Sequence, residues 1–195
     1  MMKITAPSRH IAKEFTGRYG SDRLIFEIEK RAFHSIFPLL PKPRLALGMG
    51  SGRLARALDI PGKMGRERNL PKMTRAGGVP VICTLCLASS PALFLKRCHH
   101  LLRCQGKILV GFIPRESVWG RFYAATRKGG RPCQGMAPLY SLKKVEHMMM
   151  AAGFSIQAYF STLFQKPGAV KEPENPLRGY RLQAGFLVIV GERRD

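Results

Sequence analysis

The residues with the clearest chemical potential are glycines. Gly48-Met49-Gly50-Ser51-Gly52 follows the short apolar run Arg44-Leu45-Ala46-Leu47 and opens into Arg53-Leu54-Ala55-Arg56-Ala57-Leu58, a good helix former. A strand, a Gly-x-Gly-x-Gly turn and a helix let the backbone approach a ligand closely, with the first amide N–H groups of the helix aimed at a carboxylate or phosphate. A nucleotide-like ligand suits that geometry, and a tight turn that binds nothing is the alternative. A second group lies between Arg115 and Tyr140, where Arg115, Trp119, Arg121, Phe122, Tyr123, Arg127, Lys128 and Arg131 interleave cations with aromatic rings. Such a loop can hold phosphates and stack on bases. The bland alternative is a solvated loop with its aromatics folded into the core.

Thiols and imidazoles are numerous enough for a zinc site: Cys83-x-x-Cys86, then Cys98-His99-His100 and Cys104. The spacing argues against one. Cys83 and Cys86 fall in an apolar run that reads as a buried strand, where residues three apart face opposite sides. The same geometry argues against a redox dithiol. His99 and His100 stand beside Lys96, Arg97 and Arg103 and read as a solvated basic face. His147, next to Met148-Met149-Met150, reads as core plus surface, and His34 as partly buried within a helix. No metal site is expected, and no residue is named as catalytic.

The elements that must position these groups are legible from periodicity. Leu24, Ile25, Ile28, Ala32, Phe33, Ile36 and Phe37 recur at helical spacing and stop at Pro38. Arg66–Ala76 is at most one weak helix. Val79–Leu87 reads as a buried parallel strand, and Ser89-Ser90-Pro91 starts a helix running to Arg103. Gln105-Gly106 closes that helix, and Lys107–Ile113 is the clearest strand. A short helix over Trp119–Thr126 interrupts the long loop. Ser141 caps a helix reaching Ala152 and ended by Gly153. Phe154–Phe164 and Gly185–Gly191 are two strands separated by a Pro/Glu/Gly/Arg loop and expected to pair antiparallel.

Length and charge bound the rest. The 195 residues suit one cored domain, taken as 22–195, preceded by a basic arm over 1–21. The arm carries no apolar leader, the apolar runs are too short for a bilayer, and five cysteines without a disulfide pattern point to a reducing cytoplasm. With 33 Lys+Arg against 12 Asp+Glu the formal charge is +21, which attracts polyanions whatever the fold. No Asp or Glu occurs between Glu67 and Glu116, so a mechanism needing a carboxylate there is excluded.

Leu45-Ala46-Leu47-Gly48-Met49-Gly50-Ser51-Gly52-Arg53-Leu54-Ala55 resembles motif I of class I S-adenosylmethionine-dependent methyltransferases. Later segments resemble a subgroup with a methyltransferase type 11-like domain: Cys83-Thr84-Leu85-Cys86-Leu87, Gly111-Phe112-Ile113-Pro114-Arg115-Glu116-Ser117 with Trp119-Gly120, Tyr140-Ser141, Ala152-Gly153-Phe154 and Thr162-Leu163-Phe164. The resemblance implies an α/β, Rossmann-like sheet, mostly parallel with an antiparallel C-terminal edge pair. It implies S-adenosylmethionine at Gly48, Gly50, Ser51, Gly52 and Arg53, and an unidentified acceptor beneath the Arg115–Tyr140 loop, where Tyr123 and Tyr140 lie nearest the chemistry. Three departures stand out. The acid usual two positions before the first glycine is Ala46, and the acid expected on the ribose aligns with Met64. The segment between the third and fourth strands that carries an acid near the adenine is absent, Gly78-Val79-Pro80 running directly into the fourth strand, so that part of the strand 2 to strand 3 region is lacking. A carboxylate lost from a ribose diol costs on the order of 1.5–3 kcal/mol. Three readings stay open: a methyltransferase with weakened or lost activity, a nucleic-acid-binding protein that keeps the fold, and a decayed copy.

Overall fold

The computed structural model describes residues 23–45, 47, 75–86, 88–126 and 138–194. The arm over 1–21, the glycine turn and the weak-helix region before Arg75 lie outside the described residues, as does 127–137 of the long loop. Helix α1, Arg23–Ile36, turns its apolar stripe inward, burying Phe26, Ile28, Ala32, Phe33 and Ile36. A 3-10 turn at Phe37–Leu39 ends it, with Pro38 in the first turn. Then come β1 (Ala76–Ile82), α2 (Pro91–Leu101), β2 (Leu102–Phe112), α3 (Val118–Thr126), α4 (Leu142–Ala151), β3 (Phe154–Thr162), β4 (Leu177–Arg178) and β5 (Phe186–Arg193).

The strands form one sheet in the order β1-β2-β5-β3-β4. β1 and β2 run parallel, and Arg44 bridges Gly78 in parallel, which brings the segment leading to the glycine turn beside β1. The C-terminal strands pair antiparallel as expected. β5 lies within the sheet, antiparallel to β2 on one side and to β3 on the other, so β2 and β3 point the same way. Only the two-residue β4 lies outside β3. In its central place β5 is buried on both faces: Val188 and Val190 join the cluster under α1, while Leu187 and Ile189 join the cluster under α2 and α4. Both faces are therefore covered, as in an α/β layer structure. Gly111 in β2 makes room for the rings of Phe33 and Phe186, which meet edge to face at 6.1 Å; a Cβ there would stand 2.6 Å from the Phe33 ring.

Several boundaries differ from the sequence reading: β1 begins at Ala76, within the stretch read as a weak helix, and not at Val79, and β2 begins at Leu102 and not at Lys107. The strand expected to run to Leu87 ends at Ile82, because Cys83 takes a left-handed backbone conformation (φ 50°) and the chain turns. The helix expected to reach Arg103 ends at Leu101, where β2 begins. Its terminal carbonyls are met from afar: the Arg193 guanidinium donates to the carbonyl of His99 at 3.3 Å and to that of Leu102. Gln105, left-handed at φ 57°, marks an irregular pairing within the strand rather than a helix end. Elsewhere the local signals hold. Ser141 Oγ accepts from the Lys144 amide as the α4 cap, and Gly153, at φ 94°, closes that helix.

Candidate functional site

In an open parallel sheet, ligands bind beyond the carboxyl ends of the strands. Here that edge is built from the segment ending at Leu47 and the ends of β1 and β2. The first is held to β1 by Leu45 N donating to Gly78 O at 2.9 Å. The residues expected to hold the cofactor, Gly48, Gly50, Ser51, Gly52 and Arg53, follow directly and lie outside the described residues, as do Ala46 and Met64.

Beyond β1 the chain folds into a knot of short bonds. Cys83 N donates to Gly111 O at 2.8 Å, Thr84 Oγ1 to Ile82 O at 2.9 Å, and Cys86 Sγ to Cys83 O at 3.0 Å. Cys83 and Cys86 thus stand in a turn, not a strand, and the opposite-faces argument about them does not apply. Among the described residues, no three His, Cys, Asp or Glu side chains come together as a metal-binding group, and Cys83, Cys86, Cys98 and Cys104 form no disulfide with one another.

Beyond β2 the loop is fixed by Ser117, whose hydroxyl donates to Pro114 O at 2.8 Å and accepts from Gly120 N at 2.9 Å. Gly120 must be glycine, since a Cβ would lie 2.2 Å from Pro114 O. Trp119 is buried and donates its indole N–H to Gln165 O at 2.8 Å. Tyr123 stacks beside it, with ring centroids 5.8 Å apart, and is buried in the α1-side core. Phe122, Arg115 and Arg121 are exposed.

Tyr140 does reach the strand-end edge. Its carbonyl accepts from Arg115 N at 3.0 Å, and burial first, then the nearby Cys86, holds its phenol above the usual range. Beside it lie carboxylates that the sequence reading assigned no role. Glu116 Oε1 accepts from Leu142 N, at the start of α4, at 2.9 Å, and Glu116 Oε2 is buried without a hydrogen-bond partner. Glu146 Oε1 accepts the Tyr159 hydroxyl at 2.5 Å; burial, then this bond and charge, pushes that phenol up to about 12. The Tyr180 phenol is raised too, by burial and then by both Glu116 and Glu146. The signal for this cluster is absent from local spacing, because Glu116, Glu146, Tyr159 and Tyr180 come from four different elements or connections.

The histidines fall elsewhere. His99 is half-buried rather than on a solvated face: its Nε2 lies 3.0 Å from Arg194 O, its ring meets Phe154 at 5.3 Å, and burial lowers its pKa. His34, expected to be partly buried, is exposed, and so are His100 and His147. Met148 and Met149 are core and Met150 is surface.

The fold recurs in known structures. A Thermotoga maritima S-adenosylmethionine-dependent methyltransferase, described as a possible histamine N-methyltransferase, superimposes with a TM-score of 0.78 at 25% identity, over 95% of this chain and 99% of that one. This chain has the class I methyltransferase fold. The 1,6-didemethyltoxoflavin-N1-methyltransferase of Burkholderia thailandensis, solved with 1,6-didemethyltoxoflavin and S-adenosylhomocysteine, shares it at TM-score 0.59 and 15% identity, over 100% and 93% of the two chains. No protein-family model matches the chain. An uncharacterized Mycobacterium tuberculosis protein is 28% identical over 86% of this chain and 66% of its own length, so the chain spans just under two thirds of that relative. In the methyltransferase fold, the β1 turn, the Ser117–Trp119 loop and Tyr140 together form the described part of the strand-end edge.

Proposed function

We propose that the protein transfers a methyl group from S-adenosylmethionine to an acceptor still to be identified. The likeness to the Thermotoga maritima methyltransferase, across nearly the whole of both chains, carries this reading. Gly48, Gly50, Ser51, Gly52 and Arg53 would hold the cofactor. When bound, S-adenosylmethionine supplies an electrophilic methyl on a sulfonium centre. Methyl transfer is an in-line displacement, so the chain's task is chiefly proximity and alignment. The described edge fits a ligand: Glu116 offers a buried carboxylate oxygen with no donor among the described residues, and Tyr140 offers a half-buried phenol near Cys86. An acceptor entering beneath the Arg115–Tyr140 loop meets both.

The alignment to the Mycobacterium tuberculosis relative runs over 188 residues yet covers 86% of 195, about 168, so about twenty aligned positions have no counterpart in this chain. That number leaves room for a shortened segment between strands 2 and 3, whose loss would take the ribose carboxylate with it and weaken cofactor binding. Calorimetric titration with S-adenosylhomocysteine tests the proposal. Saturable heat supports it; no heat and no thermal shift at millimolar ligand leaves a fold relative without the cofactor.

The charge of +21 favours a second reading, a non-enzymatic protein that binds nucleic acid through its basic surface. RNA affinity that falls steeply from low to moderate salt supports it, and a flat response refutes it. Among the described residues no helix is long and apolar enough to cross a membrane. The absence of a disulfide among the described cysteines supports a reducing cytoplasm as the place of action.

A further inference from the structure

The segment Leu177-Arg178-Gly179-Tyr180-Arg181-Leu182 mixes apolar and cationic side chains and turns them outward. Leu177 is 50% exposed, Tyr180 38% and Leu182 66%, and Arg178 and Arg181 are exposed between them. Of the seven large apolar side chains exposed among the described residues, three fall within these six positions. Apolar residues exposed singly need no explanation, whereas a concentration of them rimmed by polar groups marks a contact surface. Backbone bonds hold the segment in place. β4 pairs with β3 at Leu177 and Arg178, and Gly179 N donates to Tyr159 O at 2.8 Å. The Ser161 hydroxyl donates to Gly179 O at 2.8 Å and accepts from Arg181 N at 2.9 Å. Gly179, at φ 98°, supplies the turn. The side chains are thus presented on an ordered backbone, so docking costs little further conformational entropy.

The two arginines call for an anionic partner, as does the total of +21. The leucines choose among anionic partners. They neither stack on bases nor bond to phosphates, so nucleic acid would leave them in water. Strand addition by another protein is opposed by the shortness of β4, two residues between Pro176 and the turn at Gly179. An anionic bilayer satisfies both kinds of side chain: aliphatic and aromatic groups enter the boundary between headgroups and acyl chains, and arginines stay with the phosphates. The acid nearest in sequence, Glu174, is engaged away from this surface, accepting from Phe164 N at 2.6 Å and from Gln165 Nε2 at 3.3 Å.

We propose that residues 177–182 dock the protein on an anionic membrane surface, with Leu177 and Leu182 inserted and Arg178 and Arg181 on lipid phosphates. The docking needs no cofactor and stands apart from the proposed methyl transfer.

Flotation of the full chain with lipid vesicles tests it. The protein binds vesicles of equal parts phosphatidylcholine and phosphatidylglycerol, and not phosphatidylcholine alone. Arg178→Gln with Arg181→Gln weakens that binding about thirtyfold, and Leu177→Ser with Leu182→Ser at least about tenfold. Lys96→Gln with Arg103→Gln, exposed cations on α2 and at the start of β2, removes the same charge and costs clearly less. All six side chains are exposed, and unchanged melting temperatures confirm that the variants fold. Should Leu177→Ser disturb β4, Leu182→Ser alone carries the leucine arm. No vesicle binding, equal binding to both vesicle types, a leucine variant that binds undiminished, or an equal loss from the control pair overturns the proposal. RNA binding that falls with the arginine pair and ignores the leucine pair, without vesicle binding, overturns it too and assigns the surface to nucleic acid.

Discussion

Replacing Gly185 with alanine tests the loop after β2 from its far side. A Cβ on Gly185 would lie 2.1 Å from Trp119 Cδ1, about 1.3 Å short of the 3.4 Å at which ordinary contact begins. Neither partner can step aside cheaply. Gly185 N is bonded to Leu163 O at 2.8 Å, and the indole is held by Gln165 O at 2.8 Å and packed on Tyr123. Forced overpacking of this kind costs about 1–3 kcal/mol. Loss of the indole hydrogen bond adds about 1 kcal/mol, for a total of about 2–4 kcal/mol. Against a total stability of about 5–15 kcal/mol this is large. It lowers the melting temperature by roughly 4–16 °C for a chain of this size. Denaturant unfolding followed by circular dichroism gives the energy, and emission of the single tryptophan reports the ring displacement directly. The decisive arm is the double-mutant cycle: in a Trp119→Ala background the ring clash is gone and Gly185→Ala costs clearly less, the remaining penalty coming from the Leu163 carbonyl oxygen, 2.8 Å from the same Cβ. An unchanged midpoint and emission for Gly185→Ala, or an equal penalty in both backgrounds, refutes the reasoning.

Removing the α4 cap with Ser141→Ala costs about 1 kcal/mol in denaturant unfolding. His99 has a lowered folded pKa, so the unfolded chain takes up the proton first. Stability from this group is full above the unfolded value near 6.5 and declines as pH falls through the folded pKa, and His99→Asn flattens that decline in a pH series of melting temperatures. The Tyr159 phenol, raised to about 12, contributes stability that is intact below pH of about 10 and lost as pH rises through about 12. Tyr159→Phe removes the uppermost step from an ultraviolet tyrosine titration and leaves the lower ones.

Where local chemistry decides the backbone, the sequence was informative. The stripe of α1, the Ser141 cap and the Gly153 stop are each decided within a few residues, and the structure places all three as read. The end of β1 was not legible for a definite reason. The apolar run continues through Cys83-Thr84-Leu85-Cys86, and hydrophobic pattern carries no information on the sign of φ at Cys83. The start of β2 was missed because a partner about ninety residues away, Arg193, supplies the cap that ends α2. The inner position of β5 is likewise a matter of pairing partners rather than of its own alternating pattern. The site divides in the same way. A glycine turn announces itself by spacing, but Glu116, Glu146, Tyr159 and Tyr180 meet only once four separate segments have folded together.

That distinction changes what the net charge says about chemistry. A total of +21 describes the field far from the molecule, and salt screens it over about 10 Å. Within the site, the field is set by whichever groups lie within a few ångströms. Glu116 and Glu146 both act on the Tyr180 phenol, and Glu116 also takes the Leu142 amide at the start of α4. By contrast, Arg115, Arg121, Lys143 and Lys144 are all exposed. A protein short of acids has thus placed some of its few carboxylates where its strands end, leaving cations on the rim. An anionic partner drawn by the surface and a cationic group held at the strand ends are therefore compatible, since the two act at different distances. Screening removes the first at moderate salt and leaves the second largely intact, so the salt dependence of RNA binding and of S-adenosylmethionine binding should separate.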